Sequence, residues 1–236
     1  MSMQLLMRAR KSFALAGMAW AGAFVLVMAA DVSAQAAPRS EPSFEKAFTT
    51  ASEPARLHYK VEYHDAKGPH TLEVWREGDH LKRTTDGALE TTVERGKQGE
   101  LHITLRDERR RIFTQVTRNA LYQIGHGVDW FSMAHGLARP ASSFKVSVLA
   151  AAPPDVQGAR HAAVKCRWYE ITEGNRRNDV CWNATAGLPA MIVAQPGNRV
   201  VWALQSYDSK RIEASRFQSD STGFVKVNAD QDILAD

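Results

Sequence analysis

The stretch Leu57-His58-Tyr59-Lys60-Val61-Glu62-Tyr63-His64-Asp65-Ala66-Lys67-Gly68-Pro69-His70-Thr71-Leu72-Glu73-Val74-Trp75-Arg76-Glu77 decides the fold class. Leu57, Tyr59, Val61 and Tyr63 alternate with His58, Lys60 and Glu62, the period of two expected of a strand with one buried face. Asp65-Ala66-Lys67-Gly68-Pro69 supplies a turn, Thr71 to Glu77 returns as the next strand, and Gly78-Asp79 turns the chain again. The same rhythm continues outward through Leu81 to Thr85, Ala88 to Glu94, Glu100 to Arg106, Arg111 to Thr117 and Phe144 to Leu149. Ala190 to Ala194 and Arg199 to Tyr207 follow, joined by Gln195-Pro196-Gly197-Asn198, and Phe224 to Leu234 reads as a final strand with a short acidic tail. Short strands at nearly regular spacing predict a mainly β protein of the α+β class on one large meandering antiparallel sheet, with a sandwich as the competitor.

Two segments break the rhythm. Ser43 to Ala51 places Phe44, Ala47, Phe48 and Ala51 on one side of a short helix. In Val128 to Ala138, Trp130, Met133, Ala134 and Leu137 fall at i, i+3, i+4 and i+7 and form one apolar stripe. Such a helix beside a curved sheet is a core plug or a lid, and the glycines of Gly125-His126-Gly127 and Gly136 serve as caps or as hinges.

The first 36 residues carry a basic stretch with Arg8, Arg10 and Lys11, an uncharged run from Ser12 to Ala30, and small residues ending Ala34-Gln35-Ala36. This is the layout of a cleavable secretory signal. The run is also close to membrane-anchor length, but Ala, Gly and Met dilute it and an A-x-A site follows at once. The expected organisation is therefore a signal over residues 1–36 and a single β-rich domain over 37–236. Removing the signal takes away three basic residues and Asp31, lowering the formal charge from +4 to +2. A nearly balanced domain gives little support for nucleic-acid binding, and Arg109-Arg110-Arg111 after Asp107-Glu108 reads as a solvated turn.

Cys166 and Cys181 are the two cysteines of the chain, and export makes their pairing plausible. They flank the polar turn Thr172-Glu173-Gly174-Asn175. A hairpin centred on Glu173-Gly174 sets Cys166 directly opposite Cys181 and Glu170 directly opposite Arg177, so one register satisfies a covalent pair and an ion pair. A cross-strand disulfide is expected, contributing on the order of 3 kcal/mol in the chain-entropy model. A C-x-x-C redox spacing is missing, and no cysteine lies near the cleavage site to carry a lipid.

Val74-Trp75-Arg76-Glu77-Gly78-Asp79-His80-Leu81-Lys82-Arg83, followed by Asp86-Gly87, joins a strand, a turn and a basic strand leading to a D-G turn. Cys181-Trp182-Asn183-Ala184-Thr185-Ala186-Gly187-Leu188-Pro189 is a strand ending in Trp-x-x-x-x-Gly-Leu-Pro. With the leader, the short helix and the apolar helical insert, this order of parts resembles the periplasmic lipoprotein-carrier and sigma-regulator superfamily, the LolA/LolB/RseB-like group. The resemblance covers most of the exported chain. It implies an incomplete barrel around helices, an apolar cavity for acyl chains and a periplasmic location. The cysteine hairpin departs from the carriers, which need no bridge there.

A carrier of this type works by burial, at about 25 cal/mol per Å² of apolar surface removed from water. The candidate lining residues on the strands are Trp75, Leu105, Phe113, Trp168 and Trp202. Those on the helical insert are Trp130, Phe131, Met133 and Leu137. The expected partner is a hydrophobic ligand, a lipid or acyl chain, or else an envelope protein if the chain is a sensory module of the sigma-regulator type.

Enzyme signatures are missing: no G-x-S-x-G elbow, no H-E-x-x-H helix and no phosphate-binding glycine loop. His126, Asp129 and Ser132 are close in sequence, yet nothing orients them as a triad. His58, His64, His70 and His80 cluster, but His58 and His64 are roughly 20 Å apart along a strand, and solvated histidines are the expected case. No cofactor or metal is expected. Asn183-Ala184-Thr185 fits a glycosylation sequon and reads as chance beside a periplasmic resemblance.

Overall fold

The computed structural model describes residues 41–116, 129–153, 156 and 164–229, all within the unit Ser40–Asp236. The expected signal, His126 and the hinge Gly125-His126-Gly127 lie outside these residues.

Among the described residues twelve strands form one open, curved sheet that does not close into a barrel. The first meander is β1 (Arg56–Asp65), β2 (Gly68–Glu77), β3 (His80–Thr85), β4 (Leu89–Arg95), β5 (Leu101–Asp107) and β6 (Ile112–Val116). The second is β7 (Phe144–Val148), β8 (Arg167–Glu173), β9 (Arg176–Asn183), β10 (Leu188–Gln195) and β11 (Arg199–Asp208). Antiparallel pairing of β1 with β11 joins the two meanders edge to edge. The last strand, β12 (Val225–Asn228), leaves the meander pattern and adds to β6 in parallel, so β12 and β7 are the two edges.

Register irregularities fall at Lys60/Val61, Ile192/Val193 and Pro189/Met191, in the middle of the sheet. Each unpaired residue increases local twist and bends its strand, which curls the central strands towards one face. Pro189 sits at one of them, where a residue without an N–H costs no ladder bond.

On the concave face Leu57, Tyr59, Leu72, Val74, Leu81 and Val93 are almost fully buried. Helix α1 (Phe44–Ala47) and helix α2 (Trp130–His135) cover this face. The first helix is shorter than the expected Ser43–Ala51: Ser43 caps it, the chain leaves helical geometry at Phe48, and Ala51 is exposed. The β-branched Thr49 and Thr50 are poor helix formers, and the Trp182 indole N–H donates to the Thr49 carbonyl at 3.1 Å, holding the chain where it leaves the helix. The second helix ends before the expected Ala138 because Gly136 adopts φ 70°, ψ 13° and returns its N–H to Ser132. A β-carbon at Gly136 would lie 2.2 Å from the Trp202 ring, so glycine is required on both counts. The expected stripe is accordingly divided: Trp130, Met133 and Ala134 pack on the β1–β5 core, and Leu137 joins Phe44, Phe48, Tyr169 and Trp182.

The cysteine hairpin forms, with a register two residues from the expected one. Its loop is Gly174-Asn175, with Gly174 at φ 57° as a primed two-residue turn requires, and Cys181 faces Trp168 while Glu170 faces Asp179. A shift of two keeps every side chain on its face, so both expected pairs survive as diagonals. Cys166 and Cys181 are disulfide-bonded with Cα atoms 5.4 Å apart, and Arg177 Nε lies 3.4 Å from Glu170 Oε2.

On the convex face the 209–224 connection straps the first meander. Arg216 lies over the Trp75 ring, Phe217 meets His80, the Ser219 hydroxyl meets that of Thr92 at 2.7 Å, and Phe224 lies under Arg106 and Arg111. Beneath it Lys82, 7% exposed, pairs with Glu90 at 3.0 Å.

Candidate ligand groove

Strand parity sorts the nine expected lining residues onto two faces. Leu105 and Trp202 point to the concave face, with Trp130, Phe131, Met133 and Leu137 of the helical segment. Trp75 pairs with His58 and stacks on its ring at 5.0 Å, Phe113 pairs with Arg106, and Trp168 pairs with Cys181, all on the convex side. Each is separated from the helices by the sheet, so these three line no common cavity with the other six. All three belong to strands whose partly buried residues lie on both faces, and that blurs the alternation from which a facing can be read.

The groove lies where α1, the 48–55 segment and the start of α2 meet the β2–β3 turn. Its first compartment, a cavity of about 650 Å³, is walled by Phe44, Phe48 and Phe131, with Thr49 to Ala51 along one side. Phe44 contacts Phe48 and Phe131 with ring centroids at 4.8 and 5.6 Å, an edge-to-face arrangement that fixes the aromatic floor. Thr50, Asp129 and Phe131 are shared with a second compartment of about 1030 Å³, bounded by Glu53, Pro54, Arg76, Arg95, Trp130 and His135. Sequence reasoning passed over Phe44 and Phe48 as helix packing and missed Glu53, Arg76 and His135. An Arg at a core-facing position of β2 was the available signal.

Polar contacts hold this second compartment together. Arg76, 5% exposed, stands among the buried residues of β2, and its Nη1 lies 2.8 Å from Glu53 Oε2. That contact is close but off the hydrogen-bond direction, and Nε and Nη2 of the same guanidinium have no partner. His135 is 3% exposed, and its Nδ1–H donates to the Gly187 carbonyl at 2.8 Å, which fixes the tautomer. Burial, with Arg76 and Arg95 nearby, pushes the His135 pKa down to about 4, so the ring is neutral at pH 7. Gly187 takes φ 65° against Glu53, and the Pro189 carbonyl accepts the Trp202 indole N–H at 3.0 Å. The Gly-Leu-Pro stretch therefore anchors α2 to the sheet through His135. Tyr59 donates to the Ala134 carbonyl at 3.3 Å, and burial raises its hydroxyl pKa to about 12.

Asp129 and Ser132 form a helix cap: the Asp129 carboxylate accepts the Ser132 N–H at 2.7 Å, and the Ser132 hydroxyl donates to the Asp129 carbonyl. His58 lies between Glu73 and Asp208, and His70 between Asp65 and Asp86. Among the described residues no group of three or more His, Cys, Asp or Glu side chains is arranged to hold a metal. Asn183, 4% exposed, accepts the Ala186 N–H at 2.7 Å within its turn. No described helix is long and apolar enough to cross a membrane.

Fold and groove together define an open antiparallel half-barrel with two short helices seated on its concave face. No protein-family model and no curated protein matches the chain. Among solved structures it is similar to the crystal structure of MucB, at 12% identity and a TM-score of 0.38, over 76% of this chain and 62% of that one. The chain thus spans less than two thirds of that protein's length.

Proposed function

We propose that the protein is an exported, periplasmic, non-enzymatic binding protein that takes the apolar chain of a lipid or acylated molecule into the groove beside α1 and α2. The observation that carries this is the aromatic compartment of about 650 Å³ formed by Phe44, Phe48 and Phe131, within the size range of small-molecule sites. Burial of the chain supplies the affinity, and no covalent step is involved. The disulfide fits an oxidising compartment, and the basic-apolar-small layout of residues 1–36 fits export to it. Carriage of lipid or lipoprotein across the periplasm follows if the ligand is released to an acceptor.

Isothermal titration with dodecanol, an uncharged chain, tests the binding step. Saturable one-to-one binding supports it, and no heat beyond dilution up to the solubility limit of the alcohol rejects it. A second reading, an envelope sensory or protein-interaction module, draws on the outer edge of β7, which no strand of the described residues covers. A stoichiometric protein captured from envelope extract without co-purifying lipid favours that reading.

A further inference from the structure

We infer that α1 is a hinged lid over the aromatic compartment, latched shut by the Glu45–Arg139 ion pair. This rests on the apolar-chain reading above and adds how the chain is admitted.

The two helices are held to the sheet in different ways. In α2 Met133, Ala134 and His135 are buried, Tyr59 donates to the Ala134 carbonyl, and His135 donates to the Gly187 carbonyl. Those ties make α2 a plug. By contrast α1 is a single turn, which owes its stability to what it packs against. Its far end is anchored, because Phe48 is 1% exposed and the Thr49 carbonyl accepts the Trp182 indole N–H. Its near end is held by Arg139, which pairs with Glu45 and lies 5.8 Å from the centres of the Phe44 and Phe144 rings.

Arg139 is carried by an irregular stretch between α2 and β7 that is fixed on both sides. Leu137 is buried before it, and after it the Ser142 N–H and hydroxyl both donate to Glu173 Oε1, at 3.1 and 2.6 Å. The guanidinium is therefore a fixed post, and the α1 turn is the part that moves. Glu45 and Arg139 both line the aromatic compartment, and with side chains 60% and 58% exposed they form its outer rim. An exposed ion pair is weak and is screened by salt, so it closes the mouth without locking it. Swinging the turn outward about Phe48 and Thr49 parts Phe44 from Phe131, whose ring centre is 5.6 Å away, and opens the compartment to an entering chain.

Stopped-flow tryptophan fluorescence of the full chain mixed with dodecanol tests this. Trp182 reports from the wall, with ring centres 5.4 Å from Phe48 and 6.2 Å from Phe131. The same measurement is made on Glu45→Gln, on Arg139→Gln, and on the exchanged double variant Glu45→Arg with Arg139→Glu. In each single variant association and dissociation are both expected to quicken by about two- to fivefold, the scale of an exposed ion pair. Raising sodium chloride from about 20 to about 500 mM is expected to quicken the unmodified chain relative to the single variants, since dodecanol is uncharged and salting-out acts on every chain alike. The exchanged variant is expected to restore slow, salt-sensitive rates. Equal rates in the unmodified chain and the single variants at low salt overturn the latch and leave the apolar groove standing. Faster dissociation alone, the mark of a lost direct contact with the ligand, also overturns it. No saturable binding of dodecanol to the unmodified chain rejects the apolar-chain reading and the latch together.

Discussion

The two faces of the sheet hold different amounts of paired charge. On the convex face Lys82, Glu90, Arg106 and Glu108 form a chain of ion pairs at 2.8 to 3.3 Å under the 209–224 strap. On the concave face Arg76, Glu53 and His135 are buried beside the helices, with one imperfect ion pair, one hydrogen-bonded histidine, and Arg76 Nε, Arg76 Nη2 and Glu53 Oε2 buried without a hydrogen-bond partner. Both faces leave buried donors without a partner, Arg106 Nε on the convex side and Arg76 Nε and Nη2 on the concave side, so the faces differ in how many ion pairs they hold. The same contrast holds for the aromatic residues. Trp202 is a structural member of the concave core, while Trp75 is a half-buried plate between His58 and Arg216.

Substituting these two tryptophans gives the largest test of the contrast. Trp202→Ala is expected to lose about 3–5 kcal/mol of unfolding free energy in urea, as for other large buried side chains, and Trp75→Ala about 1 kcal/mol. Equal losses would show that the convex strap contributes as much as the helix-covered core.

Acid should reveal the concave face next. The folded His135 pKa of about 4 lies below the ordinary 6.5, so the unfolded chain takes up the proton first. Stability therefore falls as pH drops from about 6.5 towards 4, by up to about 3 kcal/mol in all. His135→Gln should flatten that limb in urea melts taken at successive pH values. His70, at the exposed rim, behaves with the opposite sign: its Asp86 and Asp65 hydrogen bonds raise its pKa. Its contribution is complete below about 6.5 and declines as pH rises through the higher folded value, while Asp65 and Asp86, held below their usual range, contribute until acid protonates them. His70→Gln should alter the limb above about pH 6.5 and leave the His135 limb unchanged.

Gly136→Ala combines a strained positive φ with a clash against Trp202 and is expected to cost about 2–3 kcal/mol by thermal melt. Asp129→Ala removes one helix cap and is expected to cost about 1 kcal/mol. A milder result for glycine than for the cap would mean that α2 can shift away from the sheet.

Much of this was legible in the chain because one rule, alternation with a period of two, repeats from Leu57 to Tyr207. Strand existence, the disulfide, the short first helix and the apolar insert all follow from local pattern. What pattern does not carry is the facing of a strand when both of its sides are partly covered. Trp75 and Phe113 lie under the strap, and Trp168 lies beside the Val156 cluster, covers that arrive from distant parts of the chain. The hairpin register escaped for a related reason: Glu173-Gly174 and Gly174-Asn175 are both acceptable turn centres, and a diagonal disulfide serves either. The buried Arg76 was visible only as a basic residue in a strand, because its significance depends on Glu53 and His135, which reach it across the helices.

The central claim is that the concave groove, and not the convex face, binds an apolar chain. Dodecanol titration into the unmodified chain, Phe131→Asp and Trp75→Ala tests it most directly. The account predicts saturable binding, weakened at least about tenfold by a charge placed at Phe131 and unchanged by loss of Trp75. Absence of saturable binding, or equal loss in the two variants, would contradict it.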